Sequence, residues 1–245
     1  MTTTIVVTQY CVRVDMPWGI FSMLSDPRRL TRWTIAFVCL WFLGSLGQTG
    51  LYLWQINLLG GFGGSAAMPA AVARAVEATD PVQMPFLLID LLFHVAFLRW
   101  VYVTNRNAQQ WSDSMSINPG WNVDWFFVPV ASLWMPFRGI CETRGALIDP
   151  DAPGAVPAPT WLWIWWGLWI AMSAYGNVTG VILNVTNTPS PSLPAIWTQI
   201  AGLGIDVPLA VLTCRLLSDV ATLQSRHIDL SASHTRAGHE PLPQA

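Results

Sequence analysis

Residues 161–183, WLWIWWGLWIAMSAYGNVTGVIL, run for 23 positions without one charged side chain. A helix of that length is about 35 Å long, enough to cross a hydrocarbon core of ~30 Å. Lipid offers no hydrogen-bond partners, so a spanning segment must satisfy its backbone internally, and an α-helix does so within one segment. Three more stretches have the same character: 33–59, 84–104 and 195–217. The composition agrees. The chain is 53% hydrophobic and only 11% charged, with a mean hydropathy of +0.42, whereas a soluble domain carries roughly 25% charged residues. The expected fold is therefore all-α, a polytopic membrane protein whose first partner is the lipid bilayer. A net charge of −2 gives no reason to expect nucleic acid as a partner.

The spans divide the chain into three parts. Residues 1–30 form an N-terminal cytoplasmic or interfacial lead. Its TIVVTQYCVRV alternates like a short strand, and Trp18 and Phe21 suit an interface. Residues 31–217 form the transmembrane domain, and 218–245 a polar cytoplasmic tail expected to fray, with His227, His234 and His239 solvated. The lead lacks the long apolar run of a cleavable signal, so the first apolar helix is expected to serve as an uncleaved one. The four cysteines, Cys11, Cys39, Cys141 and Cys214, form no CxxC and read as small apolar residues. Gly44, Gly47 and Gly50 recur every third residue and could admit a close helix, or could simply be small residues in a membrane helix.

A fifth apolar stretch, 120–137, decides the topology. It is aromatic, with Trp121, Trp125 and Trp134, but is broken by Pro129 and Pro136. Proline removes a backbone donor and kinks or stops a helix. Arginine placement supplies a second argument, because cytoplasmic loops collect positive charge. Arg28, Arg29 and Arg32 precede the first span; Arg99 and Arg106 end the second; Arg138 and Arg144 follow the broken stretch; Arg215 and Arg226 lie at the end of the last. Four spans put all of these on one side, with both termini cytoplasmic. A fifth crossing would place Arg138 and Arg144 outside. The broken stretch is thus expected to be a re-entrant or interfacial element, with five spans as the alternative.

Several motifs resemble the DUF4328 family of bacterial membrane proteins of unknown function. They are FLRWVYVTNRNAQQW, PGWNVDWFFVPVASLWMPFRGICE and WLWIWWGLWI. Trp100, Arg106, Asn107, Pro119, Gly120, Trp121, Trp125, Pro129, Leu133, Trp134, Pro136, Glu142, Trp165, Trp166 and Trp169 follow the family pattern in order, over roughly residues 35–220. Asp124 departs from it, standing where a small or apolar residue is expected. The resemblance implies a helical protein of the bacterial inner membrane and carries no catalytic residues. The block Trp121, Trp125, Pro129, Trp134, Pro136, Trp165, Trp166 and Trp169 is the expected packing or interface motif.

Ionisable residues inside a span cost about 2.5–3.5 kcal/mol each on insertion scales, so they mark sites. Asp90 and His94 lie four residues apart, on one helix face. Helical rise puts His94 and Asp206 each ~15 Å into the bilayer, and Pro208 loosens the helix beside Asp206. An intramembrane polar cluster of Asp90, His94 and Asp206 has three readings: a structural hydrogen-bonded knot, a transport or proton site, or a ligand pocket. No GxSxG, HExxH, P-loop or dinucleotide fingerprint occurs, and His94 is the only histidine within a span, so neither an enzyme nor a metal or other cofactor is expected. The primary functional expectation is a non-enzymatic scaffold or accessory subunit that packs against a membrane partner or forms a homo-oligomer. The alternative is a small transporter or proton-coupled carrier built on the Asp/His cluster.

Overall fold

The structure is a computed structural model and describes residues 27–60, 74, 80–185 and 193–237. Its helices are α1 (Pro27–Gly60), α2 (Asp80–Ala108), α3 (Pro119–Asp124), α4 (Met135–Ala146), α5 (Thr160–Val185) and α6 (Leu193–Ala237). Short 3-10 turns occupy Ala131–Leu133 and Pro153–Ala155, and no strand occurs among the described residues. The expected N-terminal strand, the interfacial anchors Trp18 and Phe21, and Cys11 lie outside the described residues.

Among the described residues, three segments are long and apolar enough to cross a membrane: Pro27–Asn57, Met84–Ala108 and Ile200–Asp229. The long uncharged run of the sequence forms α5. Leu40, Leu43 and Leu46 on α1, Leu87, Leu88, Leu91 and Val95 on α2, Ile164 on α5 and Val211 on α6 all face outward. Water would not tolerate so large an apolar surface, but hydrocarbon does.

Helix α1 packs along α2 and α6, and α5 packs along α6. Buried indoles tie these pairs. Trp100 Nε1 donates to Thr31 Oγ1 at 3.1 Å, joining α2 to α1, and Trp165 Nε1 donates to Thr213 Oγ1 at 3.0 Å, joining α5 to α6. Each bond satisfies a donor that would be costly to leave bare in an apolar interior.

The last helix corrects the sequence reading. It does not end near residue 217 with a frayed tail; it continues to Ala237. The buried stripe of Leu209, Thr213, Leu216, Leu217 and Val220 extends to Gln224, whose Nε2 donates to Thr104 O at 2.9 Å. Asp219 meets Arg144 at 2.7 Å and Asp229 meets Arg28 at 2.7 Å. His227 is not merely solvated: Nε2 lies 2.9 Å from Leu147 O and the ring stacks on Trp111. Polar residues here have partners on other elements, so polarity did not end the helix.

Residues 109–159 form a cap at the end of the bundle where α2 stops and α5 starts. Asn118 begins α3, its Oδ1 accepting from Trp121 N at 2.8 Å. After Asp124 the chain turns repeatedly. Val130 has φ 68° and ψ −54°, and Ala131 N donates to Pro129 O at 2.8 Å. This is a γ-turn with positive φ, a rare conformation for a β-branched residue. Pro136 then sits in the first turn of α4, where its missing N–H costs no helical bond. The cap is closed by Trp166 Nε1 donating to Leu133 O at 2.9 Å, Asn105 Nδ2 to Thr143 Oγ1 at 3.0 Å, and Ser112 Oγ to Pro150 O at 2.6 Å. Glu142 is buried and accepts the N–H groups of Ser116 and Ile117.

Two glycines make this cap possible. A Cβ on Gly139 would stand 1.9 Å from Asn122 Oδ1, and one on Gly145 would stand 2.1 Å from Pro153 O. By contrast, Gly44 and Gly47 face the Phe86 ring at ordinary contact distance, and Gly50 faces open space. The triplet is therefore not a close helix crossing.

Two stability tests follow from this geometry. Gly145→Ala should destabilise the protein by about 1–3 kcal/mol or more, because the obstacle is backbone. Gly154→Ala, with nothing within 4 Å, should leave thermal stability in detergent almost unchanged; equal losses would refute the close-packing account. Val130→Gly should relieve backbone strain of about 1 kcal/mol or more and raise the melting temperature.

Candidate functional site

Helices α2 and α5 meet through aromatic side chains. Phe97 on α2 is 0% exposed, and its ring lies 5.2 Å from that of Trp169 and 6.2 Å from that of Trp165. Phe126 of the cap stands edge-on to both Phe97 and Trp169. These rings close the space between α2 and α5 on the side of the cap.

Beyond that floor, on the side away from the cap, lies a cavity of about 700 Å³. It is walled by all four long helices. Trp41, Ser45 and Gln48 come from α1, Asp90 and His94 from α2, Trp169 and Tyr175 from α5, and Asp206 from α6. The structure thus brings Asp90, His94 and Asp206 to the wall of one half-open cavity. His94 Nδ1 lies 2.9 Å from Asp90 O and 3.5 Å from Asp90 Oδ2. The tautomer with its hydrogen on Nδ1 satisfies this geometry and leaves Nε2 as an acceptor. Asp206 is only 6% exposed. The Ser45 hydroxyl bonds to its carboxylate, and the Asp90 charge is close enough to act on it. Its Oδ1 has no hydrogen-bond partner. The rings of Trp41 and Phe93, which also line the cavity, stack on each other at 5.3 Å, and His94 lies edge-on to Trp169 at 6.0 Å.

The expected Trp/Pro block divides between two places. Trp165, Trp166 and Pro136 are buried, and Trp169 walls the cavity. Trp121 stacks on Trp125 at 4.9 Å, while Trp121 and Trp134 are exposed on the cap and Pro129 lies at its open turn. No group of three or more His, Cys, Asp or Glu residues that could hold a metal ion occurs among the described residues. Cys39, Cys141 and Cys214 are free. Burial pushes the Cys141 thiol up to about 12, which leaves little reactive thiolate at neutral pH.

Sequence reasoning missed Phe93, Phe97 and Trp41 as parts of the site. A signal existed for two of them: Phe93, Phe97 and Trp100 fall at i, i+4 and i+7 on one face of α2. Ser45 carried no such signal, because a serine in a membrane helix usually bonds its own backbone. Glu142 was noted only as part of a resemblance, and the structure gives it a task, capping the backbone of residues 116 and 117.

No curated protein and no solved structure matches the chain. The family model described as "Domain of unknown function (DUF4328)" matches residues 64–222, which takes in α2 to α5 and most of α6 and leaves α1 outside. The pattern of Trp, Pro, Asn and Glu in the cap and in α5 lies wholly within that match, and the chain belongs to the DUF4328 family.

Proposed function

We propose that this protein is a non-enzymatic, four-span carrier of the bacterial inner membrane, with the Asp90, His94 and Asp206 cavity as its transport site. The observation that carries this reading is Asp206, a buried carboxylate with one oxygen unpartnered beside a cavity of about 700 Å³. A structural knot would close its hydrogen bonds and pack its surroundings, since half-satisfied buried networks are destabilising. Here the carboxylate lines a cavity and keeps one buried oxygen unpartnered, and intramembrane acids of that kind mark ion and substrate paths.

Topology supports the same reading. Arg28, Arg144 and Arg226 lie on elements joined at one end of the bundle by the Arg28–Asp229 and Arg144–Asp219 pairs. Assigning that end to the cytoplasm puts both termini and the cap there. The longest helix within the cap is the 12-residue α4, ~18 Å long and too short to span. The cap then acts as a re-entrant or interfacial plug beneath the cavity.

A second reading, a scaffold or accessory subunit, draws on the cap's outer face. Phe127 is 69% exposed there, and Trp121, Leu133 and Trp134 are exposed too. Lipid headgroups, a partner helix or a second copy could cover these rings.

Two experiments separate these readings. In proteoliposomes, His94→Ala and Asp206→Asn should each remain folded by gel filtration and circular dichroism while solute or proton flux falls by about ten-fold or more, the loss that ~1.4 kcal/mol of missing interaction gives. Loss of fold in both variants would make the cluster structural and end the carrier reading. For topology, Asp151→Cys in a chain whose four native cysteines are replaced by Ser should resist an impermeant maleimide in intact cells and react after lysis; labelling from outside would overturn the four-span arrangement.

A further inference from the structure

We propose that the cavity binds a small organic cation, an ammonium-type solute held by Asp206 as counter-ion and by the aromatic walls of Trp41, Phe93 and Trp169. This names the solute class of the carrier site and so rests on that reading.

Size comes first. A space of about 700 Å³ falls within the range of small-molecule pockets, roughly 300–1,000 Å³, and far exceeds what a bare proton or a dehydrated metal ion needs. Charge comes second. Two carboxylates line the cavity, and no arginine lines it among the described residues. Its only basic group, His94, turns Nδ1 back to Asp90. The field inside therefore favours a positive guest. Third, Asp206 is nine-tenths buried with Oδ1 unpartnered. A buried carboxylate with one oxygen unpartnered and no counter-charge is unfavourable, and a cation placed against the group reduces that penalty. Finally, the aromatic side chains of Trp41, Phe93 and Trp169 line the same cavity as the two carboxylates, and no group of three or more His, Cys, Asp or Glu residues that could hold a metal ion occurs among the described residues. Aromatic faces attract ammonium groups within about 6 Å of the ring centroid. An anionic solute would meet two like charges, and a neutral one would leave Asp206 uncompensated.

The test is direct binding to the full-length protein in mild detergent, read by tryptophan fluorescence and isothermal titration. The probes are benzyltrimethylammonium, choline, and the neutral carbon isostere of choline, 3,3-dimethylbutan-1-ol. Saturable binding of the cations, at least about ten-fold tighter than the isostere, is expected from a paired charge and aromatic contact. Asp206→Asn should erase most of that preference. Trp41→Leu should weaken cation binding several-fold while leaving Asp206 in place, and it keeps the proposal testable if Asp206→Asn does not fold. Equal affinity for the isostere, no cation binding by folded protein, or full cation affinity in both variants would each overturn it. Proteoliposome flux is measured separately. Binding without flux upholds the site and removes the carrier reading, whereas proton flux without cation binding upholds the carrier and overturns this inference.

Discussion

The contact on which the arrangement depends is the burial of the Phe97 ring. It touches Phe93 and Trp100 on its own helix, Trp165 and Trp169 on α5, and Phe126 of the cap. Three parts of the chain that are distant in sequence meet at one side chain. Each aromatic pair is worth about 0.5–1.5 kcal/mol beyond the area it buries, so this hub weighs heavily in how α2, α5 and the cap are held. The Phe97 ring stacks on Trp169, which lines the cavity, and lies one helical turn from Phe93, which lines it too. The group that joins the helices thus lies directly behind the cavity wall.

At the cap end, side chains from distant parts of the chain meet: Gln224 with Thr104, Asn105 with Thr143, Glu142 with the backbone of 116 and 117, and Arg144 with Asp219. Trp166 binds the carbonyl of Leu133, so even the proline-broken backbone is held. At the cavity end, Asp206 keeps an oxygen without a partner and His94 bonds mainly to its own helix. Unpartnered buried atoms occur at both ends, since Asn105 Oδ1, Gln224 Oε1 and both side-chain polar atoms of Asn122 also lack partners. Asp206 differs in being a carboxylate that lines the cavity, and a buried charge costs more to leave uncompensated than a buried amide.

Much of this was legible in the residues. The spacing of Asp90 and His94 placed them on one face, and simple helical rise brought Asp206 to their depth. Pro129 and Pro136 correctly announced that 120–137 is not one helix. The end of α6 was misread, because Ser218, Asp219, Gln224 and Arg226 look like a solvated tail. The apolar stripe of Leu216, Leu217 and Val220 continues through Leu223, and that rhythm was the better guide. The reach of the helix depends on Arg144, Thr104, Leu147 and Arg28, and no local pattern in 218–237 names those partners.

Sequence alone determined that the chain is helical and made for lipid, since uncharged runs of this length have no other way to satisfy their backbone in hydrocarbon. It also determined where helices must break, because proline lacks a donor wherever it stands. Only the tertiary structure decided that α2 and α5 stay apart beyond Phe97, that the space between them is walled by rings and two acids, and that Asp206, one of those acids, keeps a buried oxygen unpartnered. A cavity is what packing leaves unfilled. It belongs to no residue or spacing, and it exists only once four helices and a cap have settled against one another.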